Sequence, residues 1–225
     1  MKLNLASVVT FMGFYFALKY VESAIVSALE MGIGPLFVLF LAIFAKESIS
    51  KVQWIIVIGT LFACIFLIVA VLSGNSALQM DVTFSVVLAL ITSVGCGIGA
   101  VLCTRYSKKL SEAGWTSSMI LAHRYYGIIL LSFMATYENF FQIFLRKYFV
   151  DNRSNSGGVM LPMYLLQVGI ANCSTLMVMM SLCFVPVFTF FIQFFDPRYS
   201  WSPISFIGIL LLFSLGVWSL LVEKR

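Results

Sequence analysis

The sequence predicts an all-α polytopic membrane protein with about eight transmembrane helices, and three observations carry that prediction. Hydrophobic residues make up 61% of the 225-residue chain and charged residues 10%, with a mean hydropathy of +1.04. That leaves too little polar surface to cover a soluble globule. Apolar runs of roughly 20 residues, long enough to cross a hydrocarbon core, recur along the chain. The basic residues behind the net charge of +5 lie mostly in short loops between those runs, where they orient helices in lipid rather than bind nucleic acid. A cleavable leader is not expected, because further apolar runs follow the first instead of a small-residue cleavage site.

Taken in order, the apolar runs place helices at 3–19, 24–45, 52–72, 82–103 and 116–136. The uncharged stretch 157–195 would be about 58 Å long as one helix, nearly twice a hydrocarbon core, so it must fold back. The turn is expected at 171–175, "ANCST", where Asn, Ser and Thr can satisfy backbone groups at a helix end. This gives helices at 155–170 and 174–195 and a last one at 204–222. Segment 139–150, "NFFQIFLRKYFV", sets aromatic beside basic residues and reads equally as an interfacial helix or a solvated loop. The five cysteines, Cys64, Cys96, Cys103, Cys173 and Cys183, lack CxxC spacing and nearby histidines. They are expected as buried small hydrophobes, with no metal site.

Alternating sides puts Lys2, Lys46, Lys51, Arg105, Lys108, Lys109, Lys224 and Arg225 on one face, and Lys19, Arg146, Lys147, Arg153 and Arg198 on the other. The positive-inside rule then places both termini in the cytoplasm.

At an offset of 151 residues the chain matches itself: Pro35, Phe37, Phe40 and Phe44 fall on Pro186, Phe188, Phe191 and Phe195, and Ser23 falls on Ser174. Four helices separate the two copies, so they enter the membrane from opposite faces and the repeat is inverted, an arrangement typical of secondary transporters. Residues 1–75 form an incomplete first repeat of three helices and 76–225 a second of five. The absent pair would be a helical hairpin before Met1.

The run "ALKYVESAIVSALEMGIGPLFVLFLAIFAKESISKVQW" resembles the drug/metabolite transporter superfamily, EamA type. The carrying elements are Ala17 to Tyr20, Pro35, Lys46-Glu47 and Gln53-Trp54, and "LAHRYYGIILL" is similar to the family's "ALRF", which carries over Arg124. The resemblance implies a ten-helix, five-plus-five fold that moves small organic solutes, often outward, across the plasma membrane. The chain departs from the pattern by lacking the first two helices, by Lys46 where the family usually has Gly, and by "DPRY" at 196–199 in place of the second "GE" loop.

The candidate substrate-binding residues are Glu30, Arg124, Gln167 and Gln193. Arg124 would attract a carboxylate and Glu30 an amine or a coupled proton; alternatively Arg124 snorkels, and Glu30 pairs with Lys19 or stays protonated. Their depths differ by about 9 Å, so a direct pair is not assumed. His123 points roughly 100° away from Arg124 around the helix and is expected as a packed neutral imidazole. Asn172 belongs to the turn. Pro35 and Pro186 each remove a backbone hydrogen bond and are the candidate hinges, with a static kink as the alternative. "GCGIGA", 95–100, suits close helix packing rather than phosphate binding.

No catalytic cluster, cofactor or metal is expected, and the partners are a small organic solute and membrane lipid, with a homo-oligomer left open. The function expected is alternating-access transport, in the export direction, of small metabolites such as amino acids or their derivatives. Efflux of drugs or cationic compounds and a non-transporting fragment or assembly partner are the alternatives.

Overall fold

The computed structural model describes residues 2–46, 50–78, 83–136 and 155–223. Among them every regular element is helical: α1 (Lys2–Leu18), α2 (Ser23–Phe44), α3 (Lys51–Leu72), α4 (Phe84–Glu112), α5 (Ser117–Arg124), α6 (Tyr126–Thr136), α7 (Asn155–Asn172), α8 (Thr175–Leu182), α9 (Val185–Ile192), a 3-10 turn (Gln193–Phe195) and α10 (Pro203–Glu223). Among the described residues, five helices are long and apolar enough to cross a membrane: α2, α3, α4, the α8–α9 pair taken together, and Pro203–Val222 of α10. The chain is therefore an all-α, membrane-embedded protein. The 139–150 segment lies outside the described residues.

Local chemistry sets the helix ends. Ser50 and Gln53 close a reciprocal capping box at the start of α3, with Gln53 N donating to Ser50 Oγ at 3.2 Å and Ser50 N to Gln53 Oε1 at 3.0 Å. The turn expected at 171–175 falls where Ser174 caps α8 by accepting from Met177 N at 3.1 Å. Helix α4 runs nine residues past the expected Cys103, because its charged C-terminal residues end the apolar run without opposing helix. It stops at Gly114, whose φ of 88° allows Trp115 N to reach Leu110 O at 3.0 Å and Gly114 N to reach Ser111 O at 3.0 Å.

Two expected helices are interrupted. The helix expected at 174–195 breaks at Cys183 and Phe184, where Phe184 N bonds Ser181 O at 3.3 Å and Val187 N bonds Phe184 O at 3.2 Å, because Pro186 has no N–H to continue the ladder. Pro35, its offset partner, lies inside the uninterrupted α2. The helix expected at 116–136 breaks at Tyr125.

Contacts divide the chain into two compact units. The first holds Met1–Val8 and Leu102–Cys173, the second Val9–Val101 and Ser174–Arg225. These units are a spatial division, whereas the repeats are defined along the sequence.

In the second unit α2 is the central helix: 72% of its spanning window is buried, against 33–44% in the other four. It packs on α3, α8, α9 and α10. Lipid is as apolar as leucine, so such packing rests on small residues that let backbones approach. Gly32 lies against Cys64 and Leu212, and Gly97 against the Glu30 carbonyl. Helices α3 and α10 interlock reciprocally, Gly59 receiving Leu215 and Gly208 receiving Leu67. Outward positions of α3 such as Ile55, Phe62 and Val69 are exposed, as lipid-facing positions should be.

Three connections of the second unit, 19–22, 73–78 and 196–202, gather at one end. Ser200 N donates to Ala77 O at 2.9 Å and Ser202 Oγ to Asn75 O at 2.6 Å.

Candidate functional site

In the first unit, Asn4 of α1 enters the backbone ladder of "AHRYYG". In a continuous helix Gly127 N would donate to His123 O. Here Gly127 N donates to Asn4 Oδ1 at 2.7 Å, and Asn4 Nδ2 donates to His123 O. The inserted amide separates α5 from α6. Gly127 is required for this approach, since a Cβ there would lie 2.7 Å from Val8 Cγ2 and 2.8 Å from Asn4 Oδ1. His123 is exposed, edge-on to Trp115 and Tyr126. Its Nδ1 bonds Met119 O at 2.9 Å, and since a carbonyl can only accept, Nδ1 carries a proton.

Arg124, next in sequence, is buried, and its Nε donates to Ser7 Oγ at 3.0 Å. Ser7 lies 3.5 Å from Cys103 Sγ on α4. Tyr125 OH donates to Met163 Sδ on α7 at 3.2 Å, and Lys108 Nζ of α4 donates to Cys173 O at the end of α7 at 2.9 Å. Helices α1, α5, α7 and α4 are thus linked in a closed ring.

Two polar side chains of this ring are sealed without hydrogen-bond partners among the described residues. They are Gln167, 1% exposed with both amide atoms unpaired, and Ser107, 0% exposed with its hydroxyl unpaired. Ser107 lies one turn from Cys103 on the same face of α4, and Gln167 one turn from Met163 on the same face of α7. Leaving such groups unpaired costs about 1–3 kcal/mol each.

Glu30 and Gln193 belong to the second unit. Glu30 is buried in α2, and the Gly97 backbone approaches its carbonyl. Gln193 is held at the start of α2. Its Oε1 accepts from Ser23 Oγ at 3.1 Å and Ala24 N at 3.3 Å, which turns its NH2 toward Glu22 Oε1 at 2.7 Å. Glu22 Oε2 accepts from Ala77 N at 2.8 Å and Ser205 Oγ at 2.9 Å. Burial lifts the Glu22 carboxyl above its ordinary range, and the bonds from Gln193, Ala77 and Ser205 oppose that rise.

The prolines are tied together within the second unit. Pro35 cannot donate to Met31 O, the carbonyl four residues back. Cys183 Sγ, at the break between α8 and α9, lies 3.6 Å from that carbonyl and 3.6 Å from Met179 O one turn back, so its one S–H is shared between the two. Asn172 bonds Val168 O at 2.8 Å, in its own helix.

Sequence reasoning missed Asn4, Ser107 and Glu22. A polar residue in the apolar run "KLNLASVV" was the available signal for Asn4, and an acid at the start of α2 was the signal for Glu22. Compared with family models, curated proteins and solved structures, the chain matches none.

Proposed function

We infer that the chain is a secondary transporter of small organic metabolites bearing a carboxylate, amino acids and their derivatives among them, working by alternating access. The observation that carries this reading is the pair of unpartnered side chains, Gln167 and Ser107, in the same four-helix ring as Arg124. In lipid, apolar side chains would fill such a ring without cost, so a retained guanidinium, amide and hydroxyl are what a solute site requires. Beyond its bond to Ser7, Arg124 offers terminal N–H groups that suit a carboxylate, while Gln167 and Ser107 can each donate and accept.

The inverted repeat and the EamA-type, five-plus-five architecture are part of the same proposal. Adding 151 to the bounds of α3 gives 202–223, beside the observed Pro203–Glu223. The same shift takes α2 to 174–195, beside the run from Thr175 to Phe195. It takes α1 to 153–169, beside Asn155–Asn172. The gathering of 19–22, 73–78 and 196–202 at one end also supports alternating spans; cytoplasmic termini rest on the distribution of Lys and Arg, and export across the plasma membrane rests on the resemblance alone. Pro35 and the Cys183–Pro186 break are the flexing points.

Reconstitution in liposomes tests the reading. Uptake of labelled amino acids should be measurable and should be lost in Arg124→Ala while insertion is kept. Correctly folded protein that moves no member of a broad carboxylate panel would sink the proposal and favour a non-transporting assembly partner.

A further inference from the structure

Glu22 lies between α1 and α2 and is 1% exposed. Its two oxygens hold together parts of the chain that are distant in sequence: Ala77 from the α3–α4 connection, Gln193 from the end of α9, and Ser205 from the first turn of α10. Every one of these groups donates, so the carboxyl is the shared acceptor on which the end of the second unit closes. Among the described residues, the charged and titratable groups at the same end are engaged elsewhere. Arg198 forks onto Asp196 at 2.6 Å and lies over the Tyr199 ring, 5.7 Å from its centroid. Lys19 is exposed and lies over the Tyr20 ring, 5.6 Å from its centroid. None of these donates a hydrogen bond to Glu22 among the described residues.

We propose that Glu22 is a proton-binding latch, which holds this end of the second unit closed when protonated and favours its opening when ionised. A buried carboxylate with no cation beside it is expensive, and opening the connections returns it to water. The closed form therefore binds a proton more tightly than the open form, and by linkage closure takes up a proton from the water on that side. On protonation the new O–H can donate to Ser205 Oγ, whose hydroxyl then turns from donor to acceptor, while Ala77 N–H and the Gln193 amide keep their acceptors. In a transporter this latch would couple solute movement to a proton gradient. That consequence rests on the transport reading, but the latch itself does not.

The test is hydrogen–deuterium exchange on the full chain in lipid nanodiscs across a pH series, comparing wild type with Glu22→Gln at each pH so that intrinsic exchange cancels. Relative exchange in peptides covering 73–78 and 193–205 should rise with pH in the wild type, by up to about tenfold per pH unit, the limit for one linked proton. Glu22→Gln should show no such rise. Gln193→Leu, which removes an amide that donates to Glu22 in either state and more strongly to the ionised one, should move the midpoint to higher pH, and it reports independently where Glu22→Gln does not fold. Equal pH profiles in wild type and Glu22→Gln, or an unmoved midpoint in Gln193→Leu, would overturn the latch. A latch that titrates in a protein moving no solute in liposomes leaves this proposal standing and removes the transport reading.

Discussion

Asn4 takes the place of a backbone carbonyl for Gly127: its Oδ1 accepts the Gly127 N–H at 2.7 Å, and its own NH2 occupies the His123 carbonyl that the N–H would have used. One side chain of α1 thus fixes where the α5–α6 helix is interrupted. Asn4→Leu should let the two backbone groups bond each other directly and the helix close over Tyr125. The expected net loss is about 1–2 kcal/mol, read as a lower unfolding midpoint in detergent, with a gain of protection at Gly127 in amide exchange. An unchanged exchange rate at Gly127 would contradict the insertion.

Gly127→Ala should be worse than most alanine substitutions in a helix. Its Cβ would press on Val8 and Asn4, and relieving that contact by moving α1 should cost about 1–3 kcal/mol. Gly95→Ala is the control, because a Cβ there meets nothing within 4 Å; it should be neutral or slightly stabilising.

Gln167→Leu should raise stability while removing solute binding. The wild-type amide is buried without partners, so an apolar replacement of similar size relieves about 1–3 kcal/mol. On the transport reading the same change also deletes a group that would meet the solute, the trade expected at a functional site. Thermal unfolding and equilibrium binding of a labelled amino acid, measured on one preparation, decide it. Lower stability would make Gln167 structural.

The Glu22 carboxyl gives folding stability a defined pH dependence. Its folded pKa is raised above the ordinary 4.5 by burial. Below pH 4.5 the carboxyl is protonated in both states and its contribution is fully present. As pH rises, the unfolded chain ionises first, so stability falls until the folded pKa is passed. A chemical-denaturation series from pH 4 upward should show this decline, and Glu22→Gln should flatten it. Stability that rises over the same window would reverse the sign of the argument.

Cys183→Ala should leave the Met31 carbonyl without its cross-helix donor. The loss should be modest, about 1 kcal/mol, because a thiol is a weak donor. If the proline region flexes during transport, turnover should change by more than stability does. Equal, small effects on both would make the contact a static one.

Helix positions were legible because run length and capping are local. Ser174 and Gln53 act within four residues of where they stand, and the 171–175 turn could be placed from chain length and three polar residues. The α4 end was misplaced because charge ends an apolar run without ending a helix, and Gly114 was the better signal. The α5–α6 break could not be read locally, since its cause, Asn4, is more than a hundred positions away. Arg124 and Gln167 were legible as costly residues in lipid. Ser107 was not, because a serine in a helix can bond its own backbone and gives no sign of being sealed. Gln193 was legible as a polar residue, but its partner Glu22 was not, because it stands 171 positions away in the chain.

The reciprocal seating of Leu215 against Gly59 and of Leu67 against Gly208 has a mechanical consequence. Two knobs set in two notches about two helical turns apart resist sliding in either direction, since any axial shear drives both leucines into backbone. Helices α3 and α10 therefore behave as one rigid spine. On the transport reading, motion within the second unit would swing about that spine, with Pro35 and the break at Cys183 as its joints.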